Sequence, residues 1–458
     1  MTAMTGATDS AEATGRRTHK VPAKVVFLVQ NIHGGGGVAR TVIGLANALA
    51  DTHEVTLLGL TSGRRRPQFE IDPRIEVDWI AERRDRGRPR DRPKGRRGGK
   101  RLVRPAEDPE APGWQRRLDA QPTGLIEQKD LEPEMSRLTD LLLARTLAKL
   151  PPCVLVSTRP TLHRAAARWS PPWVVRVAQD HMNYLTRADN APVIEAIDAA
   201  AARLDAFVTL TTDDEADYVR RWARTKRAGA RVLTIPNASP FEIGEPAPLQ
   251  APVVVTAGRF EERKGFDRVI AGFAAVAADH PDWELHVYGQ GDLEDDLRTQ
   301  AAATDCADRI LFPGYVDDFD AVLRGASVYA MGSHFEGLPM VLLEAQAVGL
   351  PIVAYDCPRG PSDLIEDGVS GRLVPHGFAA EHREAYAAAL GQVIGDADLR
   401  RRMGAAAQQH ALSYTTASVV DRWERLFDEL SRARTFLGPR RTREVEREVE
   451  REVRRTGA

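Results

Sequence analysis

Two glutamates eight positions apart are the strongest chemical signal in this sequence. Glu336 follows an apolar stretch at 328–331 that predicts a strand, and Glu344 lies inside an apolar segment that predicts a helix beginning near Pro339. Ligands of open α/β sheets bind beyond the carboxyl ends of the strands. Two carboxylates there can accept hydrogen bonds from the paired hydroxyls of a ribose or hexose. The alternative is one solvated loop acid and one helix acid with a local partner.

Two cations come earlier in the same half of the chain. Arg259 follows the apolar stretch 253–257, and Lys264 lies just before Gly265 and an amphipathic segment. Fixed positive charges near the start of a helix favour a diphosphate group, and they also stabilise a nucleoside diphosphate as it leaves. The alternative for the two cations alone is a pair of solvated surface residues.

The elements that position these residues follow an alternating α/β pattern. The apolar stretch 24–30 predicts a buried parallel strand, followed by the glycine run 34–37, a helix and a second strand at 53–61. A second unit of the same kind begins at 252. We therefore predict an α/β fold of two Rossmann-like, doubly wound domains that face each other across a cleft.

The predicted domain boundaries follow shifts in composition. An Arg-, Pro- and Gly-rich stretch around 82–115 is too polar to form a packed core and predicts a flexible insertion. The predicted segments are a disordered tail at 1–21, an N-terminal domain at 22–240, a C-terminal domain at 250–415, a helix at 416–436 and a charged tail at 437–458.

Composition narrows the class of protein. The 458 residues include 63 Lys and Arg against 65 Asp and Glu, so the overall charge does not favour nucleic acid as a partner. Three distant cysteines, Cys153, Cys306 and Cys357, fit a reducing compartment better than a disulfide scaffold. Without a predicted signal peptide or membrane span, a cytoplasmic location is expected.

The C-terminal half resembles the retaining glycosyltransferases of family 4, which have the GT-B fold. The matching stretches are GRFEERKG at 258–265, GQGDLEDDL at 289–297, the run from LFPGYVDDF to LPIVAYD at 311–356, and CPRGPSDLIEDGVSGRLV at 357–374. The resemblance is looser in the N-terminal half, where it rests on GGGGVARTVIGLANALADTHEVTLL at 34–58 and on Gln179-Asp180-His181.

The resemblance implies roles for particular residues. Arg259 and Lys264 would bind the donor diphosphate, Glu336 would lie near the donor sugar, and Glu344 would bind the ribose. His181 would contact the sugar, with Asp180 able to orient it. The remaining donor-binding predictions are Gly36 and Gly37 facing the diphosphate, Gly258 beside Arg259, Gly314, Tyr315 and Val316 near the base, and the backbone of Gly337 and Leu338 near the phosphates and sugar.

The expected reaction is transfer of a hexose, with retention, from a nucleotide sugar to an acceptor hydroxyl. The resemblance favours a UDP-sugar donor, while the acceptor would be a cell-envelope glycan, a glycolipid or a teichoic-acid-like polymer. No metal is expected, because no Asp-x-Asp directly follows a predicted strand, and no resident cofactor is expected, because the nucleotide sugar is a co-substrate. One departure from the family is Ala238, which follows Pro236-Asn237 where many relatives have glycine.

Three further possibilities remain open from sequence. Gly34, Gly36 and Ala39 satisfy a loose dinucleotide fingerprint, but the second strand ends without an acid to bind a ribose, which disfavours a NAD-dependent oxidoreductase. A non-catalytic protein that binds nucleotide sugars is the other alternative. The basic stretch 83–104 could contact anionic lipid head groups or an anionic polymer, or it could be a solvated loop.

Overall fold

The computed structural model of the protein describes residues 24–34, 36–62, 67–82, 112–126, 135–225 and 229–434. The predicted tails at 1–21 and 437–458 and the basic stretch 83–104 lie outside these ranges. Within them, the chain forms two parallel β-sheets, each with helices on both faces.

The N-terminal sheet has seven parallel strands in the order β3-β2-β1-β4-β5-β6-β7. Its strands are β1 (Lys24–Asn31), β2 (Glu54–Ser62), β3 (Glu76–Glu82), β4 (Val154–Ser157), β5 (Val175–Gln179), β6 (Ala206–Thr209) and β7 (Arg231–Thr234). Its helices are α1 (Gly37–Leu49), α2 (Gly113–Asp119), α3 (Arg137–Leu147), α4 (Pro160–Trp169), α5 (Tyr184–Ala188), α6 (Ala191–Ala201) and α7 (Thr212–Thr225).

The C-terminal sheet has six parallel strands in the order β10-β9-β8-β11-β12-β13. Its strands are β8 (Val253–Arg259), β9 (Glu284–Gln290), β10 (Ile310–Gly314), β11 (Val328–Met331), β12 (Ile352–Asp356) and β13 (Gly371–Pro375). Its helices are α8 (Phe266–Val276), α9 (Glu294–Ala302), α10 (Phe319–Arg324), α11 (Met340–Ala347), α12 (Pro361–Leu364), α13 (Ala380–Gly395) and α14 (Ala397–Ala411). Three short 3-10 helices lie at Glu262–Lys264, Ala307–Arg309 and Leu412–Tyr414, and α15 (Thr416–Arg434) ends the described chain.

Both sheets are covered because their central strands are apolar on both faces. All four residues of β4, β6 and β11 are buried, as parallel strands between two layers of helices require. Separate apolar clusters fill the two faces of each sheet. The predicted fold class is therefore confirmed.

The last helix joins the two halves in a way that the sequence did not predict. The expected helix at 416–436 is present as α15, but it crosses back and packs on the N-terminal domain. Its Trp423 and Phe427 are buried in one core cluster with Val42 and Ala46 of α1. Helix α15 follows the C-terminal domain in sequence but packs on the N-terminal domain, so it links the two domains.

The elements absent from the sequence-based assignment include strands β3 and β13 and helices α2, α4 and α5. Strands β3 and β13 lie at sheet edges, where short strands with half-exposed residues leave a weaker pattern. Helix α2 begins at Gly113, inside the predicted flexible insertion at 82–115, so the end of that range is ordered.

Of the described non-glycine residues, Leu249 alone has a positive φ, so Ala238 replaces the expected glycine without a left-handed backbone. No described helix is both long enough and apolar enough to span a bilayer.

Candidate active site

Two glycines fix the distance between the loops that follow β8 and β11. Gly265 has a φ of 59°, and a Cβ at this position would overlap the carbonyl of Gly332. A Cβ at Gly332 would overlap the carbonyl of Gly265 in turn. The His334 N–H also donates to the Arg263 carbonyl at 2.8 Å. Because the backbones touch, the side chains of the two loops meet at the carboxyl edge of the sheet.

The Lys264–Glu336 ion pair is the centre of this edge. Lys264 Nζ lies 2.7 Å from Glu336 Oε1, and the Ser333 hydroxyl donates to the same oxygen at 2.8 Å. The other carboxylate oxygen lies 3.8 Å from an Arg263 nitrogen. The side chain of Glu336 is 6% exposed and that of Lys264 is 18% exposed, so the charges face each other with little intervening water.

Arg259 is not in contact with either acid. Its side chain is 75% exposed, and its nearest described ion-pair partner is Glu261, at 3.2 Å. Arg263 is the second cation near Glu336, and sequence reasoning missed it. Arg263 lies in a run of charged residues, where spacing alone gives no reason to select one cation over its neighbours.

Glu344 is buried on α11 and pairs with the opposite domain. Its side chain is 4% exposed, and Oε1 accepts a hydrogen bond from Arg40 of α1 at 2.8 Å. Burial raises the pKa of the Glu344 carboxyl, and the Arg40 charge opposes that rise. Glu336 and Glu344 both lie near the Tyr329 hydroxyl. Burial raises the pKa of that hydroxyl, and the negative charges of the two glutamates raise it further.

The loop after β5 brings His181 to the same site from the N-terminal domain. Asn183 donates from its side chain to the Glu336 carbonyl at 2.6 Å, and a Cβ at Gly337 would lie 3.3 Å from the His181 carbonyl. Burial lowers the pKa of His181 to about 4, so its imidazole is neutral near pH 7. Its Nε2 is buried with no hydrogen-bond partner among the described residues.

Asp180 does not orient His181 by a hydrogen bond, contrary to the sequence-based expectation. One carboxylate oxygen accepts from Arg187 at 2.7 Å and the other from the Tyr218 hydroxyl at 3.0 Å. Asp180 Oδ1 also accepts a hydrogen bond from the Met182 N–H at 3.3 Å. Asp180 therefore anchors α5 and α7 to the end of β5, and this supports the loop that places His181.

The glycine turn after β1 lies at the start of α1. Gly36 is the N-cap residue of that helix and Gly37 its first residue, while Gly35 is outside the described ranges. A Cβ on either would meet no atom within 4 Å, so the backbone there faces open space.

The remaining predicted donor residues lie on the C-terminal domain. Gly258 is the second-last residue of β8, next to Arg259, and Gly314 is the last residue of β10. Tyr315 is 64% exposed, and Val316 next to it is half-buried. The Leu338 side chain is buried in the core of its own domain, so only its backbone is available to a ligand.

A charged contact that sequence reasoning missed holds the loop after β12 to α7. Arg359 pairs with Asp213 and Asp214 at 3.1 Å each and also with Asp217. The Arg359 N–H donates to the Glu336 carbonyl at 3.2 Å. The Arg359 guanidinium thus binds the N-terminal domain while its backbone binds the loop that holds Glu336. The segments that follow β5, β8 and β12 all contact that loop.

The arrangement suits an anionic, hydroxyl-rich ligand. Cations at 263 and 264 lie beside the acid at 336, and Arg40, in the first turn of the helix that begins at 37, pairs with the acid at 344 of the other domain. Within the described ranges, no three His, Cys, Asp or Glu side chains are grouped as metal ligands.

Comparison with known proteins finds a family match in the C-terminal half. Residues 241–410 match the family model of glycosyl transferases group 1. An exopolysaccharide phosphotransferase of Streptomyces coelicolor is 30% identical over 425 residues, which cover 92% of this chain and 42% of that protein. The chain therefore spans less than half the length of that relative.

Solved structures share the whole two-domain arrangement. TarM of S. aureus superposes with a TM-score of 0.64 at 14% identity and covers 88% of this chain and 98% of its own. The pneumococcal O-GlcNAc transferase GtfA, solved with UDP and GlcNAc, gives a TM-score of 0.65 at 15% identity and covers 89% of this chain and 99% of its own. At these identities the likeness concerns the fold, which is the GT-B fold.

Proposed function

We propose that this chain, which has the GT-B fold and whose residues 241–410 match the family model of glycosyl transferases group 1, is a retaining hexosyltransferase that uses a nucleoside diphosphate sugar. The observation that carries the proposal is the Lys264–Glu336 contact of 2.7 Å beside buried Glu344, with Asn183 of the other domain bonded to the same loop. A protein that only needed a surface ion pair would gain little from burying these charges.

On binding, the donor would take over contacts that the charged side chains of the site now make with one another. Its diphosphate would take the Lys264 ammonium, with Arg263 and exposed Arg259 close enough to add charge. Its ribose hydroxyls would bond to Glu344, and the sugar would lie near Glu336 and His181. The neutral imidazole of His181, with its free and buried Nε2, supports a hydrogen bond to a sugar hydroxyl rather than a charge–charge contact.

Transfer would proceed on one face of the sugar. The bond from the anomeric carbon to the phosphate oxygen breaks, and the acceptor oxygen bonds to the same face of that carbon. The acceptor proton passes to the leaving phosphate oxygen. The protein would contribute positioning and cationic stabilisation of the leaving diphosphate. We propose that this stabilisation comes from side chains without a metal, and activity that persists after chelation with EDTA would support that point.

The donor and acceptor are proposed more broadly. A UDP-sugar fits the partners of several structural neighbours, including HepE of Anabaena and GtfA, which were solved with UDP. An acceptor in a cell-envelope glycan, glycolipid or teichoic-acid-like polymer is supported by relatives such as the phosphatidyl-myo-inositol mannosyltransferase of Mycolicibacterium smegmatis, which is 33% identical over 228 residues. Three unpaired cysteines fit the reducing cytoplasm as the proposed location.

A screen of nucleotide sugars tests the proposal. Each sugar nucleotide is first tested for thermal stabilisation of the protein and then for release of the nucleoside diphosphate with and without acceptor glycans. We expect one base to stabilise the protein and one sugar to turn over, with the product anomer matching the donor by NMR. Binding without turnover for every acceptor would favour a non-catalytic nucleotide-sugar-binding protein, and binding of NAD alone would overturn the proposal.

A further inference from the structure

Arg40 connects the glycine turn to the buried acid of the opposite domain. It lies in the first turns of α1, whose sequence GVARTVIGLANAL contains no other charged residue. Its NH1 donates to Glu344 Oε1 at 2.8 Å across the cleft, and its side chain is 40% exposed. Among the described residues, no other side chain forms a hydrogen bond to the Glu344 carboxylate.

The proposed ribose and Arg40 would compete for one carboxylate oxygen of Glu344. A carboxylate that binds two neighbouring hydroxyls uses both of its oxygens. In this structure Arg40 takes one of them, and the burial of Glu344 makes an unpaired charge there costly. A ribose that uses both oxygens therefore competes with Arg40 at Oε1, and where it displaces the guanidinium, the hydroxyls must replace it as hydrogen-bond donors.

A displaced Arg40 has a second position close by. Its backbone N–H bonds to the Gly36 carbonyl at 3.2 Å, so the side chain starts within one turn of the helix N-terminus. The space in front of Gly36 and Gly37 is open. A diphosphate bound between this N-terminus and Lys264 would have Lys264 on one side and Arg40 on the other.

We propose that Arg40 is a further donor-positioning residue that exchanges partners: it neutralises Glu344 until the ribose takes that carboxylate, and then pairs with the donor diphosphate. This inference rests on the proposed function, because it requires the donor to be a nucleoside diphosphate sugar. The exchange predicts that loss of Arg40 has opposite effects on the binding of the nucleoside and of the diphosphate. Arg40 competes with the nucleoside and attracts the phosphates.

The test compares a nucleoside with its diphosphate on the full-length protein. Calorimetry at fixed ionic strength measures Kd for uridine and for UDP, or for guanosine and GDP if the screen selects that base. The variants are Arg40→Met, which keeps length and removes charge, and Arg40→Lys, which keeps charge. Arg298→Met is the control, because Arg298 is half exposed on α9 and pairs with Glu294.

For Arg40→Met we expect tighter nucleoside binding and roughly tenfold weaker diphosphate binding, the usual scale for one charge-assisted hydrogen bond. Weaker diphosphate binding with unchanged nucleoside binding would make Arg40 a fixed phosphate ligand and would overturn the exchange. Arg40→Lys should recover most of the diphosphate affinity, and Arg298→Met should leave both constants unchanged. Equal weakening of both ligands would show that Arg40 only holds the domains together and would overturn the exchange. Unchanged constants for both would overturn it too. If the wild-type protein binds no nucleoside diphosphate, the proposed function itself fails.

Discussion

The two walls of the cleft differ in how firmly their residues are held. On the C-terminal wall, the backbones at Gly265 and Gly332 touch, and Glu336 has three partners within 4 Å. On the N-terminal wall, Gly36 faces open space and His181 has a buried nitrogen without a described partner. The difference indicates that the donor half of the site is built in advance, whereas the other half is completed by ligand.

Loss of the Lys264 charge should have the largest effect. Lys264→Met removes the ammonium that lies 2.7 Å from Glu336 and that would stabilise the leaving diphosphate. We expect kcat/KM for transfer to fall by about 100- to 1000-fold, the scale for one preorganised charge partner. Lys149→Met, at an exposed loop position after α3, is the matched control and should retain full activity. A tenfold loss or less in Lys264→Met would remove Lys264 from the chemistry.

Paired glycine substitutions test the difference between the walls directly. Gly265→Ala introduces a Cβ into the Gly332 carbonyl and a side chain at a φ of 59°, so the free energy of unfolding should fall by about 2–4 kcal/mol. Gly36→Ala meets open space at a φ of −87° and should change that free energy by less than about 0.5 kcal/mol. Denaturant unfolding measures both. Equal losses would mean that the walls are equally rigid.

Gly36→Ala has a separate consequence for binding. If the diphosphate approaches the backbone of this turn, the added methyl should raise the donor KM several-fold although the fold is intact. Donor kinetics at saturating acceptor measure this. An unchanged KM would place the diphosphate away from the start of α1.

The buried imidazole of His181 predicts a pH effect on stability. Its pKa is about 4 in the folded protein, below the usual value near 6.5, so between these values the unfolded chain binds more protons. Stability should therefore fall as pH drops from about 6.5 towards 4. Between pH 7.5 and 4.5 the wild-type protein should lose about 1–3 kcal/mol more than His181→Asn. Buried His163, whose pKa is about 3, is present in both proteins and cancels. Parallel pH curves would contradict a buried neutral His181.

The smallest effect on the reaction is expected from residues 83–104. Because this basic stretch is far from the donor motifs in sequence, its deletion should leave kcat on a soluble acceptor unchanged. It should reduce sedimentation with anionic liposomes and not with neutral ones, since Arg and Lys side chains are attracted to anionic head groups. Unchanged sedimentation with anionic liposomes would end the membrane hypothesis.

The sequence predicted the sheets better than the contacts between the domains. Apolar runs such as those in β1 and β11 are local signals that predict strands. Lys264 and Glu336 were assigned to one site because both lie in motifs of the family that the sequence resembles. Arg263, Arg359 and Asn183 act across long sequence separations, so nothing in their neighbours singles them out. Arg40 did leave a signal, as the one charge in an otherwise uncharged helix. The packing of α15 on the first domain depends on the return of the chain, which periodicity does not encode.

A crystal structure with the nucleoside diphosphate selected by the screen tests the central claim most directly. We predict the diphosphate within hydrogen-bond distance of Lys264 and the ribose hydroxyls on the Glu344 carboxylate. A nucleotide bound with its phosphates away from Lys264, or its ribose away from Glu344, would contradict the account.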